Sequence, residues 1–393
     1  MHIGDVDHEH DDALDDDDRR AMERAILAAE TLQLLTVGID IGSSTAHLLF
    51  ARVFFQRQAH RLSDRFVAVN REVVWRSPIL LTPFRPDGTI DADELSRFVD
   101  QCYRDAGIAA ADVDSGAVIL TGEAIKRRNA RSIDEIFAGQ SGRFVCATAG
   151  HRLEAILAGH GSGATALSRR RRACGLHVDI GGGTTKLALI DRGEIVGVAA
   201  FAIGGRLLAQ DPHGAWTRID ESAVRVATDL GLGTTPAAMA ADATRTRIVQ
   251  RMAELVVDQI TRGAVDDLGR DLELTDPLER TLTPEYITFS GGVAEYILGD
   301  ERREFGDIAR PLAAEIVKQL RDRVSIPTVD IDQRIRATVI GASQFTVQLS
   351  GKTVHIDEAG ALPLRNVPVV RLARPLIGDI DPDQVADTLI RHA

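Results

Sequence analysis

The amino-acid sequence predicts an α/β protein built as two lobes, and three observations predict it. One strand–turn–strand segment occurs twice. Helix and strand periodicities alternate after each copy, the pattern of an α/β chain. And 393 residues suffice for two or three domains of the usual ~100–200 residues.

The repeat comes first because it organises everything else. Residues 37–50 (VGIDIGSSTAHLLF) align without gaps with residues 176–189 (LHVDIGGGTTKLAL). In each copy an apolar strand ends at an aspartate, passes a turn of small residues and resumes as an apolar stretch. A Walker or dinucleotide-binding glycine loop opens into a helix. Here the residues from Lys186 to Asp191 and from Glu194 to Val198 read as strands joined at Arg192 and Gly193, so the turn sits in a β-hairpin.

In chain order, residues 1–30 read as an acidic tail and a lead-in helix. Residues 1–18 hold too few apolar groups to offset the entropy of ordering, which predicts disorder. His2, His8 and His10 lie in that flexible tract without preorganised metal geometry. Met22, Ala25, Ile26, Ala29 and Leu32 have helical spacing. The first lobe, 31–175, carries predicted helices over 91–106 and 127–137 flanking a strand from Ala117 to Thr121. The second lobe, 176–350, carries helices over 221–229 and 245–266, the latter with Ile248, Met252, Leu255, Val256 and Ile260 on one face. A buried strand follows at 286–290, then helices over 308–323 and about 336–349. In 351–393, Pro363, Pro368, Pro375 and Pro382 disfavour long regular elements.

Composition excludes several classes of function. A net charge of −12 gives no general electrostatic reason to bind nucleic acid or an anionic membrane. Cys102, Cys146 and Cys174 form no C-x-x-C pair, which argues against a disulfide framework and against zinc or iron–sulfur sites. No apolar run reaches the ~18–20 residues that span a bilayer, and the N-terminus lacks the order of a signal peptide. A cytoplasmic protein is expected.

The chemistry is predicted at the turns. Glycine turns let an anion approach closely, and their amides point outward as donors. Gly42, Ser43, Ser44 and Thr45 would wrap one side of a polyphosphate, and Gly181, Gly182, Gly183 and Thr184 the other. Neither turn supplies enough positive charge for a triphosphate. Asp40 and Asp179, at the strand ends, would hold Mg²⁺ through its waters, and the ion would neutralise the phosphates. A single D-x-G turn is commonly only a turn; two gapless copies argue for ATP. Ser290, Gly291 and Gly292 end a strand in a glycine pair on which an adenine and its ribose could rest. Glu123 admits two readings, orienting the water that attacks the γ-phosphate or complementing a helix dipole. Lys126, Arg127, Arg128 and Arg131 read as a solvated helix face, and Arg169–Arg172 as a surface loop between lobes. His151, Glu154 and the Gly159–Gly163 stretch read as close backbone packing or a ligand turn, with packing the leading reading.

At these residues the sequence resembles the actin-like ATPase superfamily. The first phosphate motif stands at Asp40–Thr45, the second at Asp179–Thr184, the adenosine motif at Ser290–Val293 and a connecting helix at Ala337–Ala342. The resemblance implies two RNase H-like lobes closing on Mg-ATP in the cleft between them. The ordered segments VWRSP (74–78), DSGA (114–117), TGE (121–123), GHG (159–161), GGRLL (204–208), RMAEL (251–255) and LPLRN (362–366) are similar, more narrowly, to the ethanolamine ammonia-lyase reactivating factors. That likeness runs from about Leu35 to about Val370. It implies a chaperone-like partner of the adenosylcobalamin-dependent lyase, which uses ATP and Mg²⁺ to let damaged cobalamin leave and intact cofactor replace it, in the cytoplasm or at a bacterial microcompartment. The acidic extension departs from the family pattern, and the chain stops earlier than other members. Two other classes share the cleft. A small-molecule kinase needs an acceptor pocket, which the sequence does not display, and a non-catalytic actin-like assembly protein would polymerise with ATP.

Overall fold

Each copy of the repeat folds into an antiparallel hairpin, and each hairpin founds a sheet. The computed structural model describes residues 31–42, 44–57, 66–85, 89–121, 144–299, 301–331 and 337–345, all within one compact unit.

In the first sheet, β1 (Thr31–Ile41) pairs antiparallel with β2 (Thr45–Arg57), and β2 with β3 (Phe66–Arg76) and the short β4 (Leu80–Leu81). On the other side of β1, β5 (Ser115–Thr121) and β6 (Phe144–Ala149) add in parallel, giving the order β3-β2-β1-β5-β6. In the second sheet, β7 (Cys174–Ile180), β8 (Thr185–Asp191) and β9 (Glu194–Phe201) form the antiparallel meander. A separate ribbon of β10 (Leu208–Gln210) and β11 (Trp216–Ile219) follows. Then β12 (Tyr286–Ser290) joins β7 in parallel, so the order is β9-β8-β7-β12. A parallel bridge between Ile287 and Thr328 marks where a fifth strand would lie. Three antiparallel strands continued by parallel ones on the far side of the first is the RNase H-like arrangement, and it occurs here twice.

The hairpin joint foreseen at Arg192 and Gly193 has both residues at positive φ, 49° and 93°, as the right-handed twist of β8 and β9 requires of a two-residue turn.

The principal helices are α1 (Ala92–Ala106), α2 (His151–Gly161), α3 (Ala164–Arg171), α4 (Glu221–Asp229), α5 (Asp242–Thr261), α6 (Ala309–Arg323) and α7 (Ala337–Phe345). Asp91 starts α1 by accepting the amides of Asp93 and Glu94, and Gly107 ends it at φ 65°. Strand alternation sorts the packing. Val37, Ile39, Leu48, Phe50, Val118 and Leu120 face α1 through Leu95 and Val99. The opposite face carries Leu49 and Ala51 against Val339 and Ile340 of α7, and Ala117 and Ile119 against Leu157 of α2. In the second sheet Leu176, Val178, Ile180, Ile287 and Phe289 join the core with α5 and α6. Ala188 and Ile190 face α3 from the other side.

Helix α2 also packs on the second sheet, where a Cβ on Gly159 would touch Ile195, Ala188 and Ile190; α2 and α7 therefore lie between the sheets, and they cross with almost no separation. A Cβ on Gly161 would stand 1.8 Å from the carbonyl oxygen of Ala337, and one on Gly341 would stand 2.1 Å from that of Leu157. The packing reading holds at Gly159 and Gly161, with Gly161 as the crossing point, while a Cβ on Gly163 would meet nothing within 4 Å.

Several expectations are corrected. Leu32 belongs to β1, so it cannot close a lead-in helix; the strand ladder with β2 claims it, and the rest of that helix lies outside the described residues. Arg169–Arg171 are the last turn of α3, and Arg172 caps it in the left-handed region at φ 52°, where a surface loop was expected. Basic residues there complement the helix C-terminus. The helix expected over 127–137 and the segment 351–393 lie outside the described residues.

Gly161→Ala or Gly341→Ala should lower the denaturant midpoint by about 1–3 kcal/mol of stability, the usual cost of overpacking. Gly150→Ala, at a position with nothing within 4 Å of the added carbon, should leave it within ~0.5 kcal/mol.

Candidate functional site

The two turns meet. In each, the glycine amide donates to the carbonyl of the threonine three residues on, Gly42 to Thr45 and Gly181 to Thr184, both at 2.9 Å. Thr82 braces the first turn, donating its hydroxyl to the Gly42 carbonyl at 2.7 Å and its amide to that of Ser44. The following loop braces the second: the amides of Gly205 and Arg206 donate to the carbonyls of Gly181 and Gly182 at 2.9 and 2.7 Å. A Cβ on Gly182 would fall 2.0 Å from Ser44 Oγ. Arg218 of β11 also reaches Ser44 Oγ, at 3.5 Å, while paired with Asp220.

A cavity of ≈ 390 Å³ opens between the turns. Asp40, Gly42, Ser44, Thr45, Asp179, Gly181, Gly182, Gly183, Thr184, Gly291 and Gly292 all line it. The sequence thus named groups that converge from three separate segments. Ser43 and Glu123 lie outside the described residues. Ser290 lies in the same corner with its side chain fully buried, directed at Asp179. Gly291 takes φ 86°, and an added Cβ would meet the Ile180 carbonyl at 2.3 Å, so the turn after β12 needs glycine for both conformation and space.

Each aspartate is held by a hydroxyl from the neighbouring parallel strand. Thr121 Oγ1 donates to Asp40 Oδ1 at 3.2 Å, and Ser290 Oγ donates to Asp179 Oδ1 at 2.6 Å. The second arrangement continues inward: His177 Nε2 lies 2.9 Å from Ser290 Oγ and Nδ1 lies 2.9 Å from Thr288 Oγ1. Since Ser290 spends its proton on Asp179, His177 must donate from Nε2 and accept at Nδ1. Burial pushes the His177 pKa down to about 3, which keeps the ring neutral in that role.

Two charged groups complete the floor. Lys186 Nζ lies 2.7 Å from Glu154 Oε2 and 3.8 Å from Asp179 Oδ2, with all three side chains at least nine-tenths buried. Burial works against the Lys186 ammonium, but Glu154 and Asp179 outweigh it and raise its pKa. Burial also raises Asp179. Asp40 is pushed up to about 7, by burial first and then by the charge of Glu154. The floor thus sets three carboxyl groups against one ammonium, with both aspartates held above the usual carboxylate range.

Lys186 and Glu154 were not among the predicted site residues. Lys186 had a signal, because it occupies the position of His47 in the repeat and pairs across the hairpin with Asp179 as His47 does with Asp40. Thr121 and Ser290 share a second signal, a hydroxyl followed by glycine at the end of a strand.

Two RNase H-like sheets, their hairpin turns apposed across a cavity with an aspartate at each strand end, define a protein of the actin-like fold class. The chain belongs to the family of ethanolamine utilisation protein EutA, whose family model matches residues 32–391. It is 40% identical over 346 residues to the ethanolamine ammonia-lyase reactivase EutA of Salmonella typhimurium, covering 86% of this chain and 73% of that protein. The Escherichia coli reactivase of the same name is 40% identical over 345 residues, with the same coverage of 86% and 73%. Among solved structures, the activator of 2-hydroxyisocaproyl-CoA dehydratase from Clostridium difficile with bound ADPNP matches at 12% identity and a TM-score of 0.39, over 80% of this chain and 94% of that one. Among the described residues no helix is long and apolar enough to cross a membrane.

Lys186→Met should destabilise the fold by about 3–5 kcal/mol, because it strands buried carboxylates. Adding Glu154→Gln should recover part of the loss in a denaturation titration. A second expectation concerns pH. Above its unfolded value of 6.5, His177 is neutral in both states. Below it, the unfolded chain takes a proton that the folded chain refuses down to about 3. Stability from this group therefore falls by about 1.4 kcal/mol per pH unit on acidification. The stability difference between wild type and His177→Gln, measured at pH 7.5 and pH 5, should shrink at the lower pH.

Proposed function

We propose that this chain is an ATP-dependent reactivating factor for ethanolamine ammonia-lyase, promoting release of damaged cobalamin so that intact adenosylcobalamin can replace it. The observation that carries the nucleotide part is the apposition of the two turns, with Asp40 and Asp179 at the floor of one cavity. The lyase as partner rests on the family and on the names of its relatives.

The residues present fit Mg-ATP. The Gly182 position is bare where a side chain would strike Ser44, so backbone amides can approach phosphate on both sides. One ammonium faces three carboxyl groups there, and a bound cation would favour the ionised form of Asp40, which burial and Glu154 push up to about 7. Asp40 and Asp179 would hold Mg²⁺; two carboxylates plus phosphate oxygens and water is the usual set for that ion. When bound, the ion supplies charge neutralisation at the phosphates. Glu154 lines the same cavity with one oxygen anchored by Lys186. That makes it, as well as the sequence candidate Glu123, a group that would orient an attacking water. Gly291 and Gly292 would take the adenosine end.

In this reading the lobes, 31–175 and 176–350, are coupled to nucleotide state, since a ligand shifts a conformational equilibrium only through differential binding. ATP and ADP forms would then differ in their hold on the lyase, in the cytoplasm or at a microcompartment.

Lyase inactivated with cyanocobalamin should regain activity on addition of this protein, Mg-ATP and adenosylcobalamin. Recovery no greater than the no-ATP control would overturn the assignment, and chelation of Mg²⁺ should abolish recovery. Asp40→Ala or Asp179→Ala should weaken Mg-ATP binding at least about tenfold by calorimetry. Glu154→Gln should retain binding and slow hydrolysis by about 10²-fold.

A further inference from the structure

Part of the cavity wall is a segment that neither the repeat nor the strand pattern marks. Its residues Tyr296, Glu301, Arg303, Phe305 and Asp307 line the cavity, as do Gly291 and Gly292. Within this segment one arginine is fixed far more firmly than its exposure explains. Glu301 Oε1 accepts the amides of Arg302 and Arg303, both at 2.8 Å. Its carboxylate also takes the Arg303 guanidinium, with Nη2 at 2.9 Å from Oε2 and Nε at 3.2 and 3.3 Å from the two oxygens. The Arg303 carbonyl in turn accepts the Tyr296 hydroxyl at 2.7 Å. The Arg303 side chain is nonetheless 73% exposed. Holding so exposed an arginine in one geometry sacrifices rotamer freedom, and a surface ion pair gives little back.

The arrangement does explain itself as a flat surface. The guanidinium carbon lies 5.3 Å from the centroid of the Phe305 ring, so the cation is backed by an aromatic ring on one side. Its charge is spent on Glu301, whose carboxyl those hydrogen bonds hold down at about 2; a phosphate would have to compete with that carboxylate. With one face on Phe305 and its edge on Glu301, the guanidinium that lines the cavity keeps its second planar π-face for a ligand, and such a face suits a nucleobase. The segment is also tied to the phosphate end. Arg206, whose amide donates to Gly182, extends its side chain to the Phe305 carbonyl at 3.2 Å and to Asp307 Oδ2 at 3.1 Å.

We propose that the Arg303 guanidinium, held flat by Glu301 and backed by Phe305, is the surface on which the base of the nucleotide stacks, so that this segment selects a nucleotide over a bare polyphosphate. The inference rests on the nucleotide reading of the cavity.

Calorimetry with Mg-ATP and with inorganic Mg-tripolyphosphate separates the two. Arg303→Ala should weaken Mg-ATP about tenfold and leave tripolyphosphate unchanged. Arg303→Lys, which keeps the charge and loses the plane, should behave like Arg303→Ala, and Glu301→Gln should fall between them and wild type. Equal loss for both ligands, recovery of Mg-ATP affinity in Arg303→Lys, or no loss in Arg303→Ala would each overturn the stacking role while leaving the nucleotide site standing. Failure of the wild-type protein to bind Mg-ATP would remove the nucleotide reading itself, and the stacking role with it.

Discussion

Everything at the candidate site depends on two helices crossing with their backbones in contact. At Gly161 and Gly341 a methyl group would collide with a carbonyl oxygen at 1.8 and 2.1 Å, so the separation of α2 and α7 is set by main chain alone. Each helix lies on the inner face of one sheet, and that separation therefore also fixes how near the sheets stand. Only at that distance can Ser44 rest against Gly182 and can Glu154, carried on α2, reach Lys186 on β8. A bulkier crossing would separate the turns and undo the charge cluster together.

The cluster itself is an expensive arrangement. Buried ion pairs seldom repay their desolvation in stability, and a core of matched aliphatic residues would hold these strands as well. The hydroxyls of Thr121 and Ser290 donate to the two aspartates, with the neutral imidazole of His177 behind Ser290, which limits the cost at two side chains that line the cavity. Buried carboxyl groups with raised pKa values beside a cavity are a common mark of functional sites.

Much of this was legible in the sequence because it is local. The hairpins, the positive-φ joint at Arg192 and Gly193, the bounds of α4 and the strand ending at Ser290 follow from alternation, turn chemistry and periodicity within a few residues. The convergence of Asp40 and Asp179 was legible because the repeat carried it, and that of Gly291 through the glycine pair at a strand end and the family resemblance. Glu154 was not, since it sits on a helix outside the repeat and acquires its role only through the crossing with α7. Read alone, it is an ordinary first-turn glutamate. The inward direction of the Ser290 hydroxyl was hidden for a similar reason: it depends on the parallel register that sets Ser290 beside Asp179. The segment from Glu301 to Asp307 has neither helical nor strand periodicity, and its order comes from side chains bonding to their own backbone.

The contact between Ser44 and Gly182 also bears on the history of the duplicated hairpin. The two turns occupy equivalent places in the repeat, yet one presents a hydroxymethyl group and the other the hollow that receives it. Neither turn can change alone: a side chain at Gly182 requires the one at Ser44 to shrink. The halves of the molecule are thereby bound to a shared course of substitution, and the internal symmetry visible in the sequence has become a complementarity in which the copies are no longer interchangeable.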